Sequence, residues 1–342
     1  MKLAVNVAAQ DAAVLAETAE RLGYDLALAP EGYRSDAASV LGLMAGRTRR
    51  IGLGSAVMQI PARPPAATAL TAATLDALSS GRFRLGLGLS NPDVSEGWYG
   101  VAFDRPLDRT REYVEIVRAA LRGGPVTYQG EHFVLPSAGK QAAPLHLYTE
   151  GHRGDLPVYL AAVGPRNLRL AGEIAEGWIG VFTSPAAVRS AIAQIRTGRQ
   201  ERSLGLDGFD VVPCLPTAVD GDVRAAADRL RGQYCYLMGI GDPESNFYCA
   251  LARRMGFGDA VGRLHRALRA GDRGAAAEAV PVQFIDETAL MGDEKRIARR
   301  MSEYAAAGAT TLGVMVSAAA TTTEGRIAIL ETCAAAVARL AS

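Results

Sequence analysis

The sequence predicts an α/β protein built as a closed (β/α)8 TIM barrel. Two observations point to it. Strand-like and helix-like segments alternate almost without break, the pattern of a parallel sheet with helical crossovers. The alternation yields about eight β-α units, which favours a closed barrel over an open doubly wound sheet.

The elements follow in order. An apolar run at 3–7 reads as the first strand. A helical period over 11–22 places Val14, Leu15, Ala19 and Leu22 on one side, and Gly23 sits at its stop. Residues 26–29 read as the second strand. The next helix starts near Ser35-Asp36, residue types that cap helices, and runs to about 46. The third strand covers 51–57; Pro64-Pro65 opens a helix through 78; the fourth strand covers 82–88. A helix at 107–121 and a small hairpin over 126–134 come next. Further strands read at 158–162, 178–181 and 211–215, with helices at 166–175 and 185–200. A helix at 223–238 leads into a mostly helical stretch to about 279. A helix at 294–307, a strand at 311–316 and a helix at 324–340 close the chain. No Gly-, Pro- or Ser-rich linker interrupts this rhythm. The expectation is one domain over 1–342, with insertions at about 89–106, 123–156 and 239–284.

Composition narrows the function. The chain has 342 residues, with 37 Lys+Arg against 36 Asp+Glu and a formal net charge of +1. That balance argues against nucleic acid or another polyanion as the main partner. Hydrophobic residues make up 49% and charged residues 21%, enough for a sizeable core and too apolar for wholesale disorder. Cys214, Cys235, Cys249 and Cys333 form no CxxC pair, which fits a reducing cytosol. No window approaches 18 uninterrupted apolar residues, and the first residues lack a secretory apolar core, so a cytoplasmic protein outside the membrane is expected.

In a barrel the chemistry belongs at the C-terminal strand ends. Two strands carry a face of small residues there: Gly52, Gly54 and Ala56 on one, Gly86, Gly88 and Ser90 on the other. That face either leaves room for a flat ring or accommodates large neighbours. The run Ala161-Ala162-Val163-Gly164-Pro165-Arg166-Asn167 is a strand end, a turn and a helix start, with free N–H groups and an arginine suited to an anion; an ordinary βα turn is the plainer reading. Arg109 and Tyr113 lie four apart on one helix face, as partners in a site or as a solvated pair. The four histidines form no HxH or HExxH, and neither a GxSxG elbow nor a Walker lysine is present, so no metal is expected; an enzyme with so few intrinsic catalytic groups often relies on a cofactor.

Taken together, these stretches resemble the bacterial luciferase-like superfamily, and within it the actinobacterial oxidoreductases that use coenzyme F420. The residues that carry the resemblance are 51–100, beginning IGLGSAVMQIPARPP, and 106–136, beginning PLDRTREYVEIV. Downstream they are PVYLAAVGPRNLRLAGEIAEGWIGVFTSP at 157–185 and NFYCALARRMGF at 246–257. The resemblance implies a flavin or deazaflavin at the strand C-termini, backed by a non-proline cis peptide that the motif puts at Ala56-Val57. It implies Gln59 and Ser90 near the ring, Arg109 and Tyr113 at the ribityl-phosphate, and Val163, Gly164 and Arg166 around the phosphate. Glu31, after the second strand, takes the place of an acidic residue near the ring. Departures are Asn91-Pro92 for Gly-Pro, Trp98-Tyr99 for Trp-His, and Gly32 where some members carry histidine. Two candidate general acids are thereby missing, and Glu31 or Tyr99 has to serve. An apolar strand behind Glu31 would favour a neutral carboxyl; a structural role, capping the helix near Ser35, is the alternative.

The function implied is hydride transfer between coenzyme F420 and a small-molecule substrate at a C=C, C=N or carbonyl group, in secondary metabolism. Alternatives are a two-component FMN-dependent monooxygenase and a barrel that binds flavin without catalysis. A separate flavin or F420 reductase would supply reduced cofactor, and a homo-oligomer is compatible with the family.

Overall fold

The computed structural model of the protein describes residues 1–32, 35–137 and 142–341; part of the expected insertion at 123–156 lies outside them. Eight strands form the barrel: β1 (Lys2–Asn6), β2 (Leu26–Ala29), β3 (Gly52–Ser55), β4 (Phe83–Gly88), β5 (Val158–Ala161), β6 (Gly177–Val181), β7 (Asp210–Val219) and β8 (Thr311–Met315). Each pairs in parallel with the next, and β8 returns to β1 with Lys2 opposite Thr311 and Asn6 opposite Met315. The ring is closed and has no edge.

The period of two divides the strands into lumen and outer faces. Leu53, Leu85 and Leu87 point outward into the main core between barrel and helices. Ala4, Leu26, Leu28, Tyr159, Ile179, Val212 and Cys214 make a separate cluster in the lumen, with Ala56, Val57, Val181 and Met315 against it. The small-residue face is already filled. A Cβ on Gly52 would stand 2.7 Å from the Leu26 side chain, one on Gly54 3.0 Å from Leu28, and one on Gly88 3.5 Å from Ala161. These glycines accommodate large neighbours, Arg84 and Val57 among them; they do not open a slot for a ring. At the N-terminal end of the lumen the Tyr159 hydroxyl donates to Asp210 at 2.9 Å, and Thr311 donates to the other carboxylate oxygen at 2.8 Å.

Two strand readings change. Residues 51–57 are not one strand: β3 ends at Ser55, the Ala56-Val57 peptide is cis, and Met58–Gln59 resumes pairing with β4. The seventh strand runs on to Val219, where Leu290–Gly292 pairs with it.

Helices cover the outside, and their caps are local chemistry. Asp36, not Glu31, caps the helix Ala37–Arg47, accepting from the Ser39 amide at 2.7 Å. Helices Pro165–Ile174 and Pro185–Gln200 touch main chain to main chain. A Cβ on Gly172 would meet the Ile195 carbonyl carbon at 2.9 Å, and one on Gly198 would meet that of Arg169 at 2.9 Å. Helix Pro65–Leu78 is tied to the insertion after it through Asp76, whose buried carboxylate accepts from the Arg153 amide at 2.8 Å and from its guanidinium at 2.8 Å. No helix among the described residues is long and apolar enough to cross a membrane.

The insertion after helix Val223–Met238 carries the helices Phe247–Arg254, Gly258–Arg269, Arg273–Glu278 and Val282–Thr288. It docks by stacking: Phe182 at the end of β6 lies 4.2 Å from the Tyr234 ring and 5.3 Å, edge-on, from Tyr248. His265 donates from Nε2 to the Met238 carbonyl at 3.0 Å, beside the Cys249 thiol. Burial pushes its pKa below the usual 6.5. A neutral form favoured by the fold gives full stability above the unfolded value, lost as pH falls through it. The melting temperature is therefore expected to drop below about pH 6.5 and to drop less in His265→Gln. Equal acid slopes in the two proteins would refute this.

Candidate active site

The C-terminal ends of β2, β3 and β4 put four separated residues into one hydrogen-bonded chain. Glu31 follows β2, Gln59 lies past the cis peptide, Ser90 ends β4 with φ at 64°, and Tyr99 lies beyond the short helix Pro92–Gly97. A side chain in this left-handed region costs some free energy and turns the strand end sharply. The Gln59 amide donates to Glu31 at 2.7 Å. Its side chain donates to Ser90 at 3.3 Å and accepts from the Tyr99 hydroxyl at 2.8 Å.

The Glu31 side chain is paired with Arg63 and is not left against the apolar strand behind it. The guanidinium donates to both carboxylate oxygens, at 2.6 and 3.1 Å, and reaches Asp36 at 3.2 Å. The Glu31 side chain is only 5% exposed and accepts from three N–H groups. A carboxylate satisfies that set; a protonated carboxyl does not. Tyr99 has the opposite character. Burial, helped by the Glu31 and Asp36 charges against an opposing Arg63, raises its phenol above the usual 10, so it keeps its proton at neutral pH.

Arg109 stands in the first turn of the helix Pro106–Leu121, with its guanidinium 5.8 Å over the Phe133 ring. Val163, Gly164 and Arg166 are exposed in the turn that opens the helix Pro165–Ile174, and Gly164 offers no side-chain cap, so the first N–H groups of that helix stay open. Both helix starts belong to the rim where Ala56, Val57 and Ser90 lie. Tyr113 corrects an expectation. It is 1% exposed, and its hydroxyl bonds Thr68 at 2.6 Å and the Arg63 carbonyl at 3.0 Å. It is a core residue that holds the loop behind Glu31 and has no surface for a ribityl-phosphate.

The donor set suits a large polar ligand. Among the described residues, Oδ1 of Asn6, which is 8% exposed on the lumen face where β1 ends, has no partner, nor do Nε of Arg109 and Oγ1 of Thr183 after β6. A buried polar atom left unsatisfied costs about 1–3 kcal/mol, which a ligand with complementary groups offsets. Asn6 was missed in the sequence, although a polar residue inside the apolar run at 3–7 was a signal for it. Arg63 was missed too, because nothing local ties it to Glu31.

The profile of the family described as luciferase-like monooxygenase matches residues 3–311. A Mycobacterium tuberculosis protein, named provisionally as a coenzyme F420-dependent oxidoreductase, is 36% identical over 318 residues, covering 91% of this chain and 92% of that one. The 5,10-methylenetetrahydromethanopterin reductase of Archaeoglobus fulgidus is 30% identical over 297 residues, 85% of each chain. Among solved structures, the coenzyme F420 dependent tetrahydromethanopterin reductase from Methanopyrus kandleri superposes with a TM-score of 0.82 over 97% of both chains at 24% identity. With its closed barrel and this span of similarity, the chain belongs to the luciferase-like family and is an oxidoreductase.

Proposed function

We propose that the chain transfers a hydride between coenzyme F420, bound at the strand C-termini, and a small organic substrate at a C=C, C=N or carbonyl group. The observation that carries the reading is the protonated Tyr99 phenol, fixed by Gln59 at the rim. The names of the two curated relatives support the choice of cofactor and reaction class.

Coenzyme F420, when bound, supplies or takes up the hydride. The residues that would hold it are Ala56 and Val57 behind the ring, Gln59, Ser90 and Asn6 at polar edges, and Arg109 with Val163, Gly164 and Arg166 at the phosphate. Tyr99 turns its hydroxyl from Gln59 Oε1 to the substrate, donates its proton to the substrate atom that gains the electron pair, and recovers a proton from water. Glu31 stays an acceptor and holds the Gln59 main chain. Reduced cofactor comes from a separate reductase.

The test is to saturate the purified chain separately with F420 and with FMN, following binding by fluorescence and oxygen uptake with an electrode. Tight F420 binding without oxygen uptake is expected. Oxygen consumption with reduced FMN, and no binding of F420, would replace this reading by a flavin monooxygenase. Arg109→Ala is expected to weaken F420 binding about tenfold or more, the worth of a charge-assisted hydrogen bond, with turnover at saturating cofactor kept. An unchanged affinity would remove Arg109 from the site.

A further inference from the structure

We infer that Arg63 is a positioning residue of this site: it holds Glu31 as an acceptor-only carboxylate, Glu31 holds the Gln59 main chain, and Gln59 fixes the Tyr99 hydroxyl. For its effect on turnover the inference rests on Tyr99 as proton donor; the ionic arrangement itself does not.

The placement of Arg63 is built from both sides. Pro61 and Pro64 restrict the backbone around it, and the buried Tyr113 hydroxyl donates to its carbonyl at 3.0 Å. Its planar fork then spans both oxygens of Glu31, a geometry that a lysine ammonium cannot reproduce. Among the described residues, the titratable groups facing Glu31 are Arg63, Asp36, Tyr99 and Tyr113, and Arg63 is the one cation of that set. Without it, a carboxylate that is 95% covered faces a second carboxylate and two phenols, with the Gln59 amide as its one remaining donor among the described residues. Burial with one donor and no counter-charge favours the neutral form of a carboxyl group. A protonated Glu31 carries less charge toward the Gln59 amide, and the donor chain to Tyr99 loosens.

The test uses the full chain with Arg63→Met, Arg63→Lys and the double variant Arg63→Met/Glu31→Gln. Difference infrared spectroscopy at pH 7, without cofactor, reads the ionisation directly. A protonated-carboxyl band is expected in Arg63→Met and absent from the wild type, from Arg63→Lys and from the double variant. With F420 and substrate, turnover of Arg63→Met is expected to fall on the order of 10- to 100-fold, with a new acid limb and a smaller loss of cofactor affinity. Arg63→Lys should restore part of the turnover and no acid limb. Should Arg63→Met not fold, Arg63→Gln takes its place under the same readouts. A folded, uncharged variant with no carboxyl band overturns the inference whatever the enzyme turns over. A band present in a protein inert with F420 sinks the proposed function and leaves the role of Arg63 intact.

Discussion

Replacing Tyr99 by phenylalanine is expected to lower turnover with F420 by about 10²- to 10⁴-fold, the usual worth of a positioned general acid. The ring stays and only the hydroxyl is lost, so packing of the 98–105 segment is kept. Gln59 loses one donor on Oε1 at a half-buried position that water can replace. Cofactor affinity and melting temperature are therefore expected within experimental scatter of the wild type. The phenol lies above its usual 10, so the wild type should show no alkaline loss of turnover below that pH. Loss of cofactor binding in step with turnover would make Tyr99 a binding residue instead. Full activity in the phenylalanine variant would pass the proton to another donor.

The largest expected loss of stability comes from the opposite end of the barrel. Asp76 has a side chain with no exposed surface, and Arg153 is its counter-charge, 38% exposed. The carboxylate also accepts from the Arg153 amide, and the guanidinium donates onward to the Phe83 carbonyl at 2.6 Å. Removing one partner of a buried pair costs about 3–5 kcal/mol; the half-open arginine can turn to water, so Asp76→Ala is expected near 3. Urea denaturation measures it. The residue stands at the N-terminal end of β4, away from the strand ends that carry the site, so turnover of the folded variant should match the wild type. A loss under about 1 kcal/mol would mean that the insertion is held by its other contacts.

How much of this was legible in the sequence differs by level. The barrel was, because strand and helix periods are local and eight units close. The bounds of the third strand were misread from its apolar run, while the motif put the cis peptide at Ala56-Val57, where the pairing breaks before it resumes at Met58–Gln59. Leu290–Gly292 was invisible: three residues pair only because the long β7 reaches them. At the site, Gln59, Ser90 and Tyr99 were named separately, and only the fold shows them bonded to one another. Glu31 was judged from its apolar neighbours in sequence, while its side chain is paired with Arg63, 32 positions away. Tyr113 was placed by motif at a ligand, but helix packing buries it.

The bare crossing at Gly172 and Gly198 has a consequence for how this barrel can diverge. With main chain against main chain, the separation of the two helices is set by peptide geometry and offers no side chain to trim or enlarge. The turn at 163–166 is therefore carried on a half of the barrel that cannot adjust its spacing by ordinary substitution. Variation has to enter elsewhere, through the segments between β4 and the helix at Pro106 and beyond Met238. Under the proposed function, grafting those segments from a relative should exchange substrate preference and leave affinity for the coenzyme unmoved.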